Sequence, residues 1–256
     1  MKIEKTINRI FLLLSVLALT LLCMTGCGNN AVKNTNHISD TPTPGSALTA
    51  VRGTRDNTPV CLSPIPGTTA VYQNDAAVID ASNSSQGYII VRYTGRNSKV
   101  KLQIVGQDQV TYTYNLKTGN GGADEVFPLS AGDGQYLINV YENISANQYA
   151  TAFSQAITVT LADQFLPFLY PNQYVTFNAT DQAVAKASEL AYSADSDLDV
   201  VTNIYDYIIS NITYDYDEAE NVQSGYIPDV DEVLYTKKGI CLDYEALMTA
   251  MLRSQR

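Results

Sequence analysis

Histidine and basic side chains are scarce in this sequence. Among 256 residues there is one histidine, and 16 Lys and Arg stand against 26 Asp and Glu, which gives a net charge of −10. An acidic protein of this kind does not attract nucleic acid or anionic lipid electrostatically, and no basic patch with interleaved aromatics occurs. The sequence therefore excludes nucleic-acid binding as a function class.

Cysteine is also rare, with four residues at 23, 27, 61 and 241. A small domain held together by disulfides would need more. Cys23 and Cys27 belong to the N-terminal region, so Cys61 and Cys241 remain. These two could in principle pair, but we expect a separate explanation for each. Cys61 has no partner chemistry near it in sequence and is interpreted as structural or incidental.

The first 26 residues are predicted to be a secretory signal and not part of the fold. Lys2, Lys5 and Arg9 precede an apolar run over residues 10–22, which is too short for a confident membrane span. Residues 24–27, Met-Thr-Gly-Cys, resemble a bacterial lipobox, although methionine stands where leucine is commonest. We therefore expect Cys27 to be acylated and the protein to be lipid-anchored at the extracytoplasmic face of the bacterial membrane. The alternative is that Cys27 is an ordinary residue after the signal.

Removal of residues 1–26 leaves 13 basic and 25 acidic residues, a net charge of −12. Residues 27–66 then predict a flexible tether, because Asn, Thr, Ser, Pro and Gly dominate and apolar periodicity is missing. The single histidine, His37, lies in this stretch. We expect it to be solvated and without a chemical role.

Residues 67–162 predict an all-β domain, an Ig-like sandwich. Short β-branched or aromatic runs alternate with glycine-rich turns. The expected strands are residues 87–93, 100–105, 110–114, 125–129, 134–141 and 156–161. No cluster of catalytic residue types occurs among them, so a spacer or a ligand-binding module is the interpretation.

Residues 163–256 predict helices. The first covers residues 181–193 with Thr180 as N-cap, and the second starts at Ser196, which with Asp199 approximates a capping box. A third, short helix runs from about 228 to 234. Residues 237–239 (Lys-Lys-Gly) end it, since glycine readily adopts the left-handed conformation of a helix C-terminal cap. A last helix begins at about Cys241 and runs toward Arg256. Its periodicity predicts one apolar face of Ala246, Leu247, Ala250 and Met251 and another of Tyr244, Met248 and Leu252. The expected apolar face of the second helix comprises Val201, Ile204, Tyr205, Ile208 and Ile212.

Cys241 is the candidate catalytic residue because it occupies the first turn of a predicted buried helix, directly after a glycine turn. The free N–H groups of such a helix start favour a thiolate and can donate to an oxyanion. Buried, inert cysteines are nevertheless common, so this position alone leaves both interpretations open.

The acidic stretches have simpler explanations than metal binding. Asp195, Asp197 and Asp199 imitate the start of a calcium loop, but Val200 stands where the loop needs glycine. Acidic residues at a helix N-terminus explain them better, and no metal or cofactor site is expected. The acidic residues from Asp215 to Glu220 predict a solvated loop, in which Tyr214 and Tyr216 could line a groove.

Several motifs occur together in order: residues 204–207 (IYDY), 212–215 (ITYD), 225–229 (GYIPD), 237–244 (KKGICLDY) and 246–255 (ALMTAMLRSQ). This series resembles the bacterial transglutaminase-like (transglutaminase/protease, papain-related) superfamily over about residues 181–256. The resemblance implies that residues 163–256 are the helical N-terminal half of an α+β, papain-like domain. It also implies that Cys241 is the nucleophile of a Cys-His-Asp triad, and that an upstream aromatic residue can assist the oxyanion.

The sequence departs from the family pattern after this helix. The strands that carry the histidine and aspartate in the family do not follow before Arg256, and His37 is the only histidine. A thiol nucleophile needs a proton acceptor. We therefore expect a C-terminally truncated, incomplete domain that does not turn over, with bare apolar surface on the cysteine helix.

Two functions are compatible with these features. The full-length form is expected to be a surface-anchored cysteine acyltransferase or peptidase that acts on protein or peptide amides. The alternative is a non-catalytic cell-surface binding or scaffold module, which the missing base favours.

Overall fold

The computed structural model describes residues 50–119 and 121–256. The predicted signal at residues 1–26, the lipidation site Cys27, His37 and the first part of the tether lie outside these residues. None of the helices in the described parts is long and apolar enough to cross a membrane.

Eight strands form two antiparallel four-stranded sheets. The first sheet has the order β1-β2-β3-β6, with β1 (Val71–Gln73), β2 (Ala77–Asp80), β3 (Tyr88–Tyr93) and β6 (Glu125–Pro128). The second has the order β5-β4-β7-β8, with β4 (Val100–Val105), β5 (Thr111–Asn115), β7 (Gly134–Ser145) and β8 (Gln148–Val159). Tyr88 opposes Pro128 in the first sheet, and Val100 opposes Glu142 in the second.

The two sheets contribute to one hydrophobic core. Alternate residues of β4, namely Val100, Leu102 and Ile104, are buried, as the predicted alternation requires. They join Ile89 and Phe127 of the first sheet in the same cluster. The predicted arrangement, with β-sheets in the N-terminal part and helices at the C-terminal end, is confirmed.

Strands β1 and β2 were not among the expected strands, and β8 starts eight residues earlier than expected. Strand β1 has only three residues, too few for an alternation signal. Residues 148–155 mix polar with small and aromatic side chains, and all of them are exposed or half-buried, so they lack the regular apolar face by which strands are recognised in a sequence. A tight turn with Ala146 at φ 46° joins β7 to β8.

Five helices follow: α1 (Gln182–Ala191), α2 (Asp197–Asn211), α3 (Tyr216–Asn221), α4 (Val230–Thr236) and α5 (Cys241–Arg253). The buried faces of α1, α2, α4 and α5 form a second core, to which α1 contributes alanines and α5 contributes Ala246, Leu247, Ala250 and Met251. The face expected for α5 is therefore the buried one. A short parallel pair, β9 (Thr213–Tyr214) with β10 (Lys238–Gly239), joins the start of α3 to the start of α5.

The ends of these helices differ in part from expectation. The capping box of α2 is present, because Ser196 accepts from the Asp199 N–H and Asp199 accepts from the Ser196 N–H. The N-cap of α1 is Asp181 rather than Thr180. The acidic stretch expected as a loop contains α3, whose N-cap Asp215 accepts from the Glu218 N–H.

The apolar face of α2 is rotated from the expected one. Val200, Ile204 and Ile208 are buried, whereas Val201 and Tyr205 are exposed. Leu198, Val201, Tyr205 and Ile209 leave an apolar stripe open to solvent. On the cysteine helix, by contrast, Met248 and Leu252 are half-buried against the second core. The bare apolar surface expected on α5 therefore lies on α2.

The described part of the predicted tether, residues 50–66, packs against the helices and, at Ile65, against strand β3 instead of extending freely. Gly53 N–H donates to the Tyr192 carbonyl and Val60 N–H to the Ser254 carbonyl, each at 2.9 Å. Arg55 reaches Asp197 at 2.6 Å. Polar composition predicts a solvated chain, but here the polar groups pair with open backbone and carboxylate groups of the helical part.

Candidate active site

The turn before α5 places Cys241 at the first position of the helix. Lys237 ends α4 in a left-handed conformation, with φ 58° and ψ 28°, so the expected cap position at Gly239 is wrong by two residues. Lys238 and Gly239 then pair with Thr213 and Tyr214. Ile240 is the N-cap of α5 in extended conformation.

Cys241 is exposed and free, although every other residue of α5 except Glu245 is buried or half-buried. The N–H groups of Asp243 and Tyr244 both donate to the Ile240 carbonyl, at 3.0 and 3.2 Å. Within the described residues, the backbone N–H groups of Cys241 and Leu242 donate no hydrogen bond. Two unpaired backbone donors thus adjoin the thiol in the chain.

Asp243 is the buried polar residue closest to this turn, and sequence reasoning gave it no role. Its side chain has 0% exposure. One carboxylate oxygen accepts from the Ile240 N–H at 2.8 Å, and the other accepts from the Tyr226 hydroxyl at 2.7 Å. Burial, and then the Asp243 carboxylate, raise the pKa of the Tyr226 phenol, so Tyr226 is a donor in this pair.

Gly239 is required by this packing and not by a left-handed backbone. A Cβ added at residue 239 would lie 2.6 Å from the Asp243 Cβ and 3.0 Å from its carboxylate oxygen. Because residue 239 has no side chain, Asp243 can pack against the backbone that precedes Cys241.

Three tyrosines border the start of α5. The Tyr214 ring lies 4.9 Å from that of Tyr216 and 6.3 Å from that of Tyr244, measured between centroids. Tyr244 follows Cys241 by three residues, so the two side chains share a helix face. The Tyr244 hydroxyl donates to the Ile212 carbonyl at 2.6 Å. The tyrosines expected to line a groove are therefore grouped with a third, and this third one was not expected.

A cavity of about 400 Å³ opens beside the same turn. Its lining includes Asp215, Glu218, Glu232 and Lys238, together with the Tyr226–Asp243 pair. Lys238 is 4.0 Å from Asp215, and the remaining carboxylates make the cavity acidic.

Cys61 is in a different environment. It is a free, half-buried thiol that packs against the second core. Burial, and then the charge of Asp181, raise the pKa of its thiol. Both effects disfavour the thiolate, the form that reacts as a nucleophile.

The acidic run at the start of α2 has structural partners. Asp195 accepts from the Thr54 N–H at 2.8 Å, Asp197 pairs with Arg55, and Asp199 completes the capping box. Within the described part of the chain, no group of three or more potential ligands is arranged to hold a metal ion.

Comparison with known proteins identifies the class of this region. Residues 184–255 match the model of the transglutaminase-like superfamily. The helices α1 to α5 and the turn at Cys241 are thus transglutaminase-like sequence, and this part of the resemblance is confirmed.

One curated relative extends the comparison. The UPF0252 protein MJ1282 of Methanocaldococcus jannaschii is 32% identical over an alignment of 80 residues that covers 28% of this chain and 23% of that protein. The chain thus matches less than a quarter of the length of that relative.

The structure brings Tyr214 and Tyr216 to Tyr244, and Tyr226 to Asp243, and both Tyr244 and Asp243 lie in the helical turn that begins at Cys241. Of these residues, the sequence analysis singled out only Cys241, Tyr214 and Tyr216. The described residues contain no histidine, since His37 lies outside them. Lipidation at Cys27 and truncation of the domain stay predictions.

Proposed function

We propose that the transglutaminase-like region provides the nucleophile of a cysteine acyltransferase or peptidase that acts on protein or peptide amides. The observation that carries the proposal is the position of Cys241, an exposed thiol at the start of a buried helix beside two unpaired backbone N–H groups. The family match over residues 184–255 supports it.

The chemistry follows from these groups. The thiolate of Cys241 attacks the amide carbonyl carbon, a bond forms between sulfur and carbon, and the carbonyl electrons move to oxygen. The N–H groups of Cys241 and Leu242 are placed to donate to that oxyanion. Return of the electrons expels the amine, which must take up a proton, and leaves a thioester that water or a second amine resolves.

The proton acceptor and donor of this reaction are not assigned to any described residue. The resemblance implies a histidine held by an aspartate, and the sequence has only His37. We therefore propose that the chain of this sequence does not turn over amides, while its thiol still accepts an acyl group from a donor whose leaving group needs no proton.

The location is part of the proposal. Residues 24–27 and the preceding apolar run support export and acylation at Cys27, which would anchor the protein at the outer face of the membrane. The two sheets would then form an Ig-like spacer or ligand-binding module of the anchored protein. Labelling with a fatty-acid analogue, with Cys27→Ala as the control, tests the anchor; unchanged labelling in the variant would remove it.

A second candidate function is a non-catalytic binding module. A cavity of about 400 Å³ lies at the junction of the segment 63–66, strand β6 and residues 171–178. Its lining combines Pro64, Pro66 and Phe177 with the buried carboxylate of Glu125, which accepts from the Gln173 amide at 2.7 Å. Apolar walls with a few oriented polar groups are typical of ligand sites.

The two functions differ in one experiment. A p-nitrophenyl ester carries a leaving group that departs unprotonated, so the proposed nucleophile should release about one equivalent of nitrophenolate and retain the acyl group on Cys241. Cys241→Ser should abolish the release, whereas Cys61→Ala should leave it. Absence of acylation at Cys241 in the unmodified protein would favour the binding module.

A further inference from the structure

The turn that presents Cys241 is held by a pair of residues from two different segments. Tyr226 lies in the connection between α3 and α4, and Asp243 lies in the first turn of α5. We propose that Tyr226 and Asp243 are positioning residues that fix the orientation of the two N–H groups beside Cys241; the inference rests on the proposed function.

Asp243 is unusual because its ionisable side chain has no exposure to solvent. A carboxylate without solvent exposure is unfavourable unless hydrogen bonds compensate its lost hydration. Its two partners are neutral donors, the Ile240 N–H at 2.8 Å and the Tyr226 hydroxyl at 2.7 Å. An ionised carboxylate accepts at both oxygens, whereas an asparagine would present an N–H₂ group to one of these two donors.

The bond to Ile240 acts on the backbone next to the nucleophile. Asp243 accepts from the N–H of residue 240 and donates its own N–H to the carbonyl of the same residue at 3.0 Å. These two bonds enclose Cys241 and Leu242, whose N–H groups are the unpaired donors. The direction of those donors therefore depends on the Asp243 carboxylate.

Tyr226 secures that carboxylate from outside the helix. Its hydroxyl is the second donor to Asp243 and is separated from it by 17 residues in sequence. Without the hydroxyl, one oxygen of a buried carboxylate is left unpaired, and rotation of the side chain would weaken its hold on Ile240. The pair thus links the α3–α4 connection to the geometry of the turn.

A purely structural role makes a different prediction from a positioning role. Alkylation by iodoacetamide displaces iodide at a saturated carbon and needs no oxyanion donor, whereas acylation by an ester builds negative charge on oxygen. Exposure and ionisation of the thiol affect both reactions, whereas the N–H groups assist only acylation. The ratio of the acylation rate to the alkylation rate at Cys241 therefore measures the contribution of the N–H groups alone.

The experiment compares Tyr226→Phe and Asp243→Asn with the unmodified full-length chain, using p-nitrophenyl acetate and iodoacetamide and reading modification of Cys241 by peptide mass spectrometry. We expect Tyr226→Phe to lower the ratio roughly tenfold, the worth of one hydrogen bond to a charged group. Tyr235→Phe is the matched control, because Tyr235 is 84% exposed, and its ratio should not change.

A ratio for Tyr226→Phe equal to that of the unmodified chain would overturn the inference even if the variant unfolds at a lower temperature. Should Asp243→Asn fail to fold, Tyr226→Phe still decides the question. If the unmodified chain is alkylated but not acylated at Cys241, the proposed function fails together with the inference. If it is acylated and both variants are acylated equally well, only the inference fails.

Discussion

Gly239 and Asp243 are packed so closely that no side chain fits at position 239. A Cβ there would lie 2.6 Å from the Asp243 Cβ, which belongs to the first turn of a buried helix and cannot move aside as a flexible side-chain end would. Position 239 lies two residues before Cys241. A side chain added there would therefore disturb both the turn before Cys241 and the first turn of α5.

Gly239→Ala should therefore destabilise the protein. Relief of the clash requires displacement of Asp243 or of the strand β10, and overpacking of this kind costs about 1–3 kcal/mol in the free energy of unfolding. Urea denaturation followed by circular dichroism measures the effect. Lys238→Ala is the control, since its side chain is mostly exposed, and it should change the free energy by less than about 0.5 kcal/mol. Equal stability of the two variants would contradict the predicted close packing.

Arg55 should hold the segment before the sheets against the helices. Its guanidinium donates to Asp197 at 2.6 Å and to the Gln255 carbonyl at 2.5 Å. Arg55→Ala is expected to lower the free energy of unfolding by about 1 kcal/mol, because one partner is buried and the other is solvated.

Hydrogen exchange gives the local readout of the same variant. The amides of Gly53 and Val60, which donate to Tyr192 and Ser254, should exchange faster in Arg55→Ala. Arg52→Ala, on an exposed residue of the same segment, should leave both amides protected. Unchanged exchange in Arg55→Ala would mean that the segment is held by its backbone bonds alone.

Tyr114 should make the protein sensitive to alkaline pH. Burial raises the pKa of its phenol from 10.0 to about 12, with smaller contributions from Tyr174 and Tyr112. Below pH 10 the phenol is protonated in both states, so it exerts no penalty. Between pH 10 and 12 the unfolded chain loses this proton and the folded chain keeps it, so stability falls as pH rises.

Tyr114→Phe should therefore reduce the loss of stability between pH 10 and 12 by up to about 2 kcal/mol. At pH 7 the variant should unfold at nearly the same denaturant concentration, because the ring still packs against Phe127 at 4.9 Å between centroids. Tyr235→Phe, at an exposed site, should follow the unmodified curve. Parallel curves for Tyr114→Phe and the unmodified chain would contradict the assigned burial effect.

Local features of the fold were predictable from the sequence. The Ser196–Asp199 capping box and the start of α5 at Cys241 depend on residues within one helical turn, and both are present. The buried face of α5 also followed from its period. Strand β4 has the expected limits because its side chains alternate cleanly between buried and half-buried positions.

Non-local contacts explain what the sequence could not predict. The apolar arc of α2 is wide, and contacts with α1 and α5 decide that Val200 rather than Val201 is buried. The sequence predicts a left-handed helix cap at Gly239, but the residue that adopts this conformation is Lys237. The Tyr226–Asp243 bond joins residues 17 positions apart, a separation that no periodic pattern reports.

The reactivity of the two described thiols tests the central claim most directly. Cys241 is exposed at the start of α5, whereas Cys61 is half-buried and the pKa of its thiol is raised by burial and by Asp181. Iodoacetamide at pH 7.5, with site-resolved mass spectrometry of the native chain, should modify Cys241 at least about tenfold faster than Cys61. Modification of Cys241 at the rate of Cys61 or below would contradict the assignment of Cys241 as the nucleophile.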